Sequence, residues 1–224
     1  MNNAIEARRL LRAHRYGALS TLSKKLDGYP FGSITPYMVD HDSSLIIQIS
    51  ALAEHTKNIG QDARTSLVTH NQNSQDIRMQ GRVTVAGAAQ RLGKHHPRYL
   101  RHFPEAEFLA TLDFYFYRIT PVAIRYIGGA GRAHWINIET YTSPQAAEFM
   151  RHEERWLDQI NTSQMGVVQQ WLLEQHGINT GTVISLDCDG LDVRCEERII
   201  RLDFADTDPQ QYEQLSSLQR LLPS

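Results

Sequence analysis

SALAEHTKNIGQDARTSLVTH, residues 50–70, begins where the apolar run Leu45–Ile49 ends and leads into another, Thr65–Thr69. Between the two lies a short helical segment, so the stretch reads strand, helix, strand. At its centre, His55-Thr56-Lys57-Asn58 sets an imidazole, a hydroxyl, an ammonium and an amide side by side. A strand-to-helix handover exposes backbone N–H groups, which favour an anionic ligand. On residues alone, a capped and solvated helix start is the stronger reading.

Working outward, residues 3–15 read as a helix ended by Gly17, and Tyr16–Leu22, Phe31–Val39 and Leu45–Ile49 read as strands. Ile77, Met79, Gly81, Val83 and Val85 alternate with Arg78, Gln80, Arg82 and Thr84, which predicts a strand over 77–85 with one dry and one cationic face. Arg78 and Arg82 could share an anion with the 55–58 corner; an exposed strand face explains them equally well. Residues 88–102 look helical and basic. Phe114–Ile127 is apolar on both faces, as a central strand is, and Pro121 suggests a bend or bulge. Gly128-Gly129-Ala130-Gly131 marks a tight bend before Ala133–Ile138. These runs fit a small antiparallel barrel.

After Pro144 the pattern changes. Leu157, Ile160, Gln164, Val168, Trp171 and Gln175 recur at helical spacing, predicting one long amphipathic helix over 153–176. An Asp189-Gly190 hairpin follows, then a run through Ile200, Leu202 and Phe204, and a helix after Pro209. The organisation expected is a split-barrel domain over 1–143 and a small helix, three-stranded antiparallel sheet, helix domain over 144–224, α+β by the order of its elements.

The 224 residues carry a net charge of −2, which predicts no general attraction to nucleic acid. No apolar run reaches membrane-spanning length and MNNAIEARRLLRAHRYG has no signal-peptide core, so a cytoplasmic protein is expected. If Asp189-Gly190 is a two-residue turn, Cys188 and Cys195 share a face but lie about 13 Å apart along the ladder, beyond disulfide reach. The same count sets Asp187 opposite Asp192, where a bound cation or a solvent-screened turn would relieve the like charges.

His134-Trp135 could together hold a flat ring, by stacking and by ligation or a hydrogen bond, though a His–Trp pair closing the barrel is the commoner outcome. His152, in Phe149-Met-Arg-His-Glu-Glu, could reach a cofactor; a surface-helix histidine is the more common case. Nucleophile–base triads, Walker loops, dinucleotide fingerprints and zinc-ligand spacings are absent.

Three stretches together, GALSTLSKKLDGYPFGSITPY at 17–37, ISALAEHTKNIGQDARTSLVTH at 49–70 and FYRITPVAIRYIGGAGRAHWI at 116–136, resemble the FMN-binding split-barrel superfamily. The likeness is to its haem-utilisation (HugZ/HutZ-type) branch, related to pyridoxamine 5′-phosphate oxidase. LDCDGLDVR at 186–194 is similar to the small domain that accompanies such barrels. The resemblance implies a homodimer whose two barrels form the cofactor clefts. It implies cofactor contacts from Ser50, His55, Thr56, Lys57, Asn58, Arg82, His134 and Trp135, with His152 as candidate axial ligand of haem. Where flavin relatives place an arginine and a lysine on the FMN phosphate, this chain has Ala53-Glu54-His55, which counts against a strict FMN oxidase. The aromatic of the usual glycine bend is Ala130 here, and Gln159-Ile-Asn-Thr-Ser-Gln164 replaces a His-Met-Asn-x-Asp-His pattern.

Three functions stay open on this reading. The first is a haem-binding, haem-degrading protein with its cofactor at a homodimer interface. The second is an FMN-dependent oxidoreductase. The third is a non-catalytic haem-sensing or partner-binding regulator.

Overall fold

Period-two alternation builds the first unit of the protein. In β1 (Tyr16–Leu22), Gly17, Leu19 and Thr21 are buried while Ala18, Ser20 and Leu22 are half-buried. A computed structural model describes residues 3–71, 76–129 and 133–204. Contacts divide the chain into Met1–Ser143 and Pro144–Ser224.

In the first unit, α1 (Asn3–Ala13) precedes β1, β2 (Pro30–Pro36), β3 (Met38–Val39), β4 (Leu45–Ser50), α2 (Glu54–Gln61) and β5 (Arg64–His70). Then come β6 (Gly81–Arg91), α3 (Pro97–His102), α4 (Ala106–Thr111), β7 (Phe114–Gly128), β8 (Ala133–Ile136) and the helical turn α5 (Ile138–Tyr141). The strands form one antiparallel sheet in the order β2-β1-β5-β6-β7-β4-β3, with β8 added on β7. Its inner face holds Leu19, Leu45, Ile47, Leu67, Val83, Val85, Ile119 and Ile124 around Leu10 and Leu11 of α1. Burying each Leu or Ile contributes about 1.5–3 kcal/mol. On the outer face, Met38, Ile46 and Phe116 are covered by Tyr99 and Phe103 of the α3 region.

β7 bends where Pro121 predicts. The register steps from Ala86↔Ala123 to Gly87↔Pro121, leaving Val122 as the bulged residue. The bulge brings Thr120 O so close that a Cβ on Gly87 would lie 2.3 Å from it, so only glycine fits.

Two predicted boundaries in this unit move. The strand expected over 77–85 begins only at Gly81, because Ile77–Met79 forms a 3-10 turn whose Arg78 amide is capped by Asp76. The basic stretch 88–102 is not one helix: β6 continues through Arg91, and the helix starts at Pro97 with His96 as its N-cap. A dry alternation through Val85, Gly87 and Ala89 outweighs the helix-compatible residues Ala88–Gln90.

In the second unit, α6 (Ala146–Gln159) and α7 (Met165–His176) replace the single helix expected over 153–176. A π-helical turn at Ile160–Gln164 separates them, and Asn161 grips β9 there through Nδ2 to Val183 O and Oδ1 to Val183 N, both 2.9 Å. β9 (Thr182–Asp187), β10 (Gly190–Cys195) and β11 (Arg198–Asp203) form an antiparallel sheet in the order β11-β10-β9. The α+β architecture, a split antiparallel barrel followed by a small helix-and-sheet unit, is the one expected. The helix expected after Pro209, and Ala130-Gly131 of the predicted bend, lie outside the described residues.

Candidate functional site

Ser50 ends β4, and the chain turns at once into α2. Thr56 Oγ1 donates to Ser50 O at 2.6 Å, fastening the first helical turn to the strand end. Asn58, with 0% exposure, donates from Nδ2 to Thr21 Oγ1 at 2.9 Å and accepts at Oδ1 from the Lys24 amide, also 2.9 Å. Ser50 Oγ donates to Asp113 Oδ2 at 2.5 Å. The polar groups of Ser50, Thr56 and Asn58 are thus committed to holding the corner.

Lys57 is exposed, and its Nζ lies 3.0 Å from Glu54 Oε1 one turn earlier. That hydrogen bond and charge hold the Glu54 carboxyl below its usual range. His55 is half-buried; burial pushes its pKa down, so the ring is neutral at pH 7. Its Nε2 is enclosed and has no hydrogen-bond partner.

A second group of candidates lies on the outer sheet face. Register aligns Ile34, Ala18, Val68, Thr84, Arg125 and Trp135 in one row across β2, β1, β5, β6, β7 and β8. Residues directly opposite in antiparallel strands share a face. The row is capped by Ile34, 72% exposed, and Trp135, 69% exposed, with Ala18, Val68, Thr84 and Arg125 between. Arg125 Cζ stands 4.9 Å from the Trp135 ring centre. Arg82, two residues before Thr84, is on this same face and donates from Nη1 to Ile77 O at 3.2 Å. Arg125 is the residue sequence reading missed. Counting back from the glycine bend does not find it; only the β7–β8 register, Arg125↔Trp135, shows the pairing.

Two expected pairings do not form within one chain. Arg82 pairs with His70, six residues along β5 from Arg64, whereas α2 abuts the other end of β5 through Asn58, Thr21 and Thr65. Six residues of strand span roughly 20 Å, so Arg82 and Lys57 do not flank one anion in a single copy. His134 and Trp135 are consecutive in β8 and point to opposite faces, so they cannot act together on one flat ring. His152 stands in α6, half-buried, with its ring centre 5.4 Å from that of Trp156.

The β9–β10 turn also differs from its count. Cys188-Asp189 form the turn, pairing Asp187 with Gly190 and Asp192 with Ser185. The cation that relieves the acidic charges is internal: buried Arg201 lies 3.0 Å from Asp187, 3.5 Å from Asp192 and 2.8 Å from Asp203. Burial alone would lower the Arg201 pKa, but the three carboxylates raise it well above its usual value. Cys188 and Cys195 are not joined in a disulfide.

A curled antiparallel sheet with one open face, a stacked arginine–tryptophan pair on it and a polar strand-to-helix corner at its end defines a split β-barrel protein. A family profile described as "CREG, beta-barrel" matches residues 1–143, and the chain belongs to that family. Over 133 residues it is 34% identical to "Non-canonical heme oxygenase HOZ, chloroplastic" of Arabidopsis thaliana, covering 57% of this chain and 41% of the relative. The chain therefore spans about two fifths of that curated relative. A protein of unknown function from Agrobacterium tumefaciens aligns over 98% of this chain and 95% of its own, with a TM-score of 0.74 at 23% identity. A heme binding protein from Mycobacterium smegmatis aligns over 98% and 97%, with a TM-score of 0.58 at 22% identity. Likeness at these identities is one of fold. Among the described residues, no helix is long and apolar enough to cross a membrane.

Proposed function

We propose that the protein binds haem on the open sheet face, between two copies of the chain. The observation that carries this reading is the exposed Trp135 with Arg125 stacked on it and Arg82 on the same face. A planar ring bearing two carboxylates matches an aromatic platform flanked by two guanidiniums. The relatives whose names refer to haem support the same ligand class. An anion held by both Lys57 and Arg82 must lie between copies, since about 20 Å of strand separates them in one. The exposed apolar side chains of Ile34 and Trp135 at the two ends of the row suit burial under a second subunit.

Haem, when bound, supplies iron chemistry with O₂ at the edge of its own ring. The chain's contribution is to hold the ring on Trp135, neutralise propionates with Arg82, Arg125 and Lys57, and exclude water under the second copy. His152 is the axial ligand we propose. His134 points to the face opposite Trp135 and His55 Nε2 is enclosed, which supports His152 ahead of His134, the second candidate. Degradation of the bound haem is the catalytic form of this reading. Binding without turnover is the regulatory form, and O₂ plus a reductant separates the two.

FMN is the second reading, favoured by Lys57 at the start of α2 and weakened by its pairing with Glu54. The deciding experiment is an absorbance titration of the purified protein with hemin and, separately, FMN. A saturating Soret band that is lost in His152→Ala and weakened in Trp135→Ala is expected. Saturable flavin binding with no Soret band would overturn the haem reading.

A further inference from the structure

On the inner face of the sheet, at the end opposite Arg82, two cations meet one aromatic ring. β6 runs past the start of β5: Arg64 pairs with Ala88, the Ala89 amide still donates to Ala63 O, and Gln90 and Arg91 pair with β7. Arg91 lies opposite Tyr117, a core residue, so Arg91, Tyr117 and Tyr115 share the inward face. The Arg91 guanidinium carbon sits 3.5 Å over the Tyr115 ring centre, and Lys94 Nζ is 4.9 Å from the same centre. Lys94 Nζ also donates to Leu112 O at 2.6 Å, which fixes it in place.

Two positive charges around one ring repel each other. Among the described residues, the carboxylate that acts with them is Asp113, which already accepts from Ser50 Oγ and feels the Lys94 charge. Among the described residues Arg91 has no carboxylate partner. A guanidinium lying flat on a ring keeps its N–H groups in its own plane, directed sideways, where they can take two oxygens of one anion. Stacking removes much of the side chain's freedom before any ligand arrives.

We propose that Arg91, Lys94 and Tyr115 form an oxyanion site at the rim of the barrel, taking a carboxylate or phosphate group in the plane of the Arg91 fork with Lys94 as the second cation. The site is separate from the haem face, because Arg91 points inward and Arg125 and Trp135 point outward from the same sheet.

The test uses the full chain and inorganic phosphate, followed by the Arg Nε–H resonances in NMR, with acetate titrated in parallel. Saturable phosphate binding that shifts one Arg Nε–H is expected. Its affinity should fall about tenfold or more in Arg91→Ala, the size of one lost charge-assisted bond. Tyr115→Phe, which keeps the ring, should bind like the wild type, and Tyr115→Leu should bind several-fold more weakly. Tighter binding of phosphate than acetate assigns a phosphate group, and the reverse assigns a carboxylate. Unchanged phosphate affinity in Arg91→Ala, with circular dichroism showing a folded protein, overturns the proposal, as does the absence of saturable binding of either anion. Trp135→Ala separates the two sites: it should weaken hemin binding and leave phosphate binding unaltered.

Discussion

Arg125 and Trp135 face each other across β7 and β8, with the guanidinium carbon 4.9 Å from the centre of an indole that is 69% exposed. A large aromatic in that position is costly to leave in water and well placed to receive a flat ligand. Trp135→Ala should weaken hemin binding about tenfold, the effect of losing a stacking partner worth about 1–1.5 kcal/mol. Arg125→Ala should weaken it comparably, and Arg125→Lys less. Quenching of tryptophan fluorescence by hemin reads all three.

At the other end of the sheet, Glu54 occupies the ammonium of Lys57 at 3.0 Å. Glu54→Gln should release that cation and tighten hemin binding by about two- to threefold at low salt, a gain that fades as salt screens it. Equal hemin affinities at every salt concentration would mean that Lys57 holds no propionate.

Asn58→Ala should destabilise the barrel by about 2–3 kcal/mol, because it strips a partner from the Thr21 hydroxyl and from the Lys24 amide. Urea denaturation measures this loss, and a difference under about 0.5 kcal/mol would remove Asn58 from the scaffold.

Asp40 should govern the acid limb of stability. Burial would raise its pKa, but the His96 hydrogen bond, the Arg98 charge and the His41 amide together hold it well below the usual carboxylate range, and Arg118 Nη2 lies 3.0 Å away. Because the folded pKa is depressed, the stability it contributes is present above the unfolded value near pH 4 and is lost as pH falls toward the folded one. Asp40→Asn should cost roughly 3 kcal/mol at pH 7 and flatten the fall in stability between about pH 4 and pH 2. Urea midpoints across that range would show it.

Much of this architecture was legible as alternation. Leu19 and Thr21 buried beside half-buried Ala18 and Ser20, and the Pro121 bulge, follow from side-chain period and proline chemistry alone. What could not be read is pairing at a distance. Nothing local to Arg82 says that it faces His70 at the far end of β5 from α2, and Asn58 next to Lys57 looks as much a ligand as a tie. The 88–102 stretch misled because Ala88-Ala89-Gln90-Arg91 suits a helix, while the ladder to β7 decides for a strand. The hairpin at 187–190 was misread by one position, since the turn residues are Cys188-Asp189; Asp189-Gly190 had the stronger local turn signal.

The bonds from Asn58 to Thr21 and Lys24 reach across 37 and 34 residues of chain. Contacts that distant carry the loop-closure entropy of the chain between their ends. The corner carrying His55 and Lys57 therefore takes its final shape only when β1 has docked beside β5. A chain in which β1 is not docked lacks both ties of Asn58. A ligand that needs the corner is captured by finished barrels alone, so occupancy marks maturation of the chain as well as supply of the ligand.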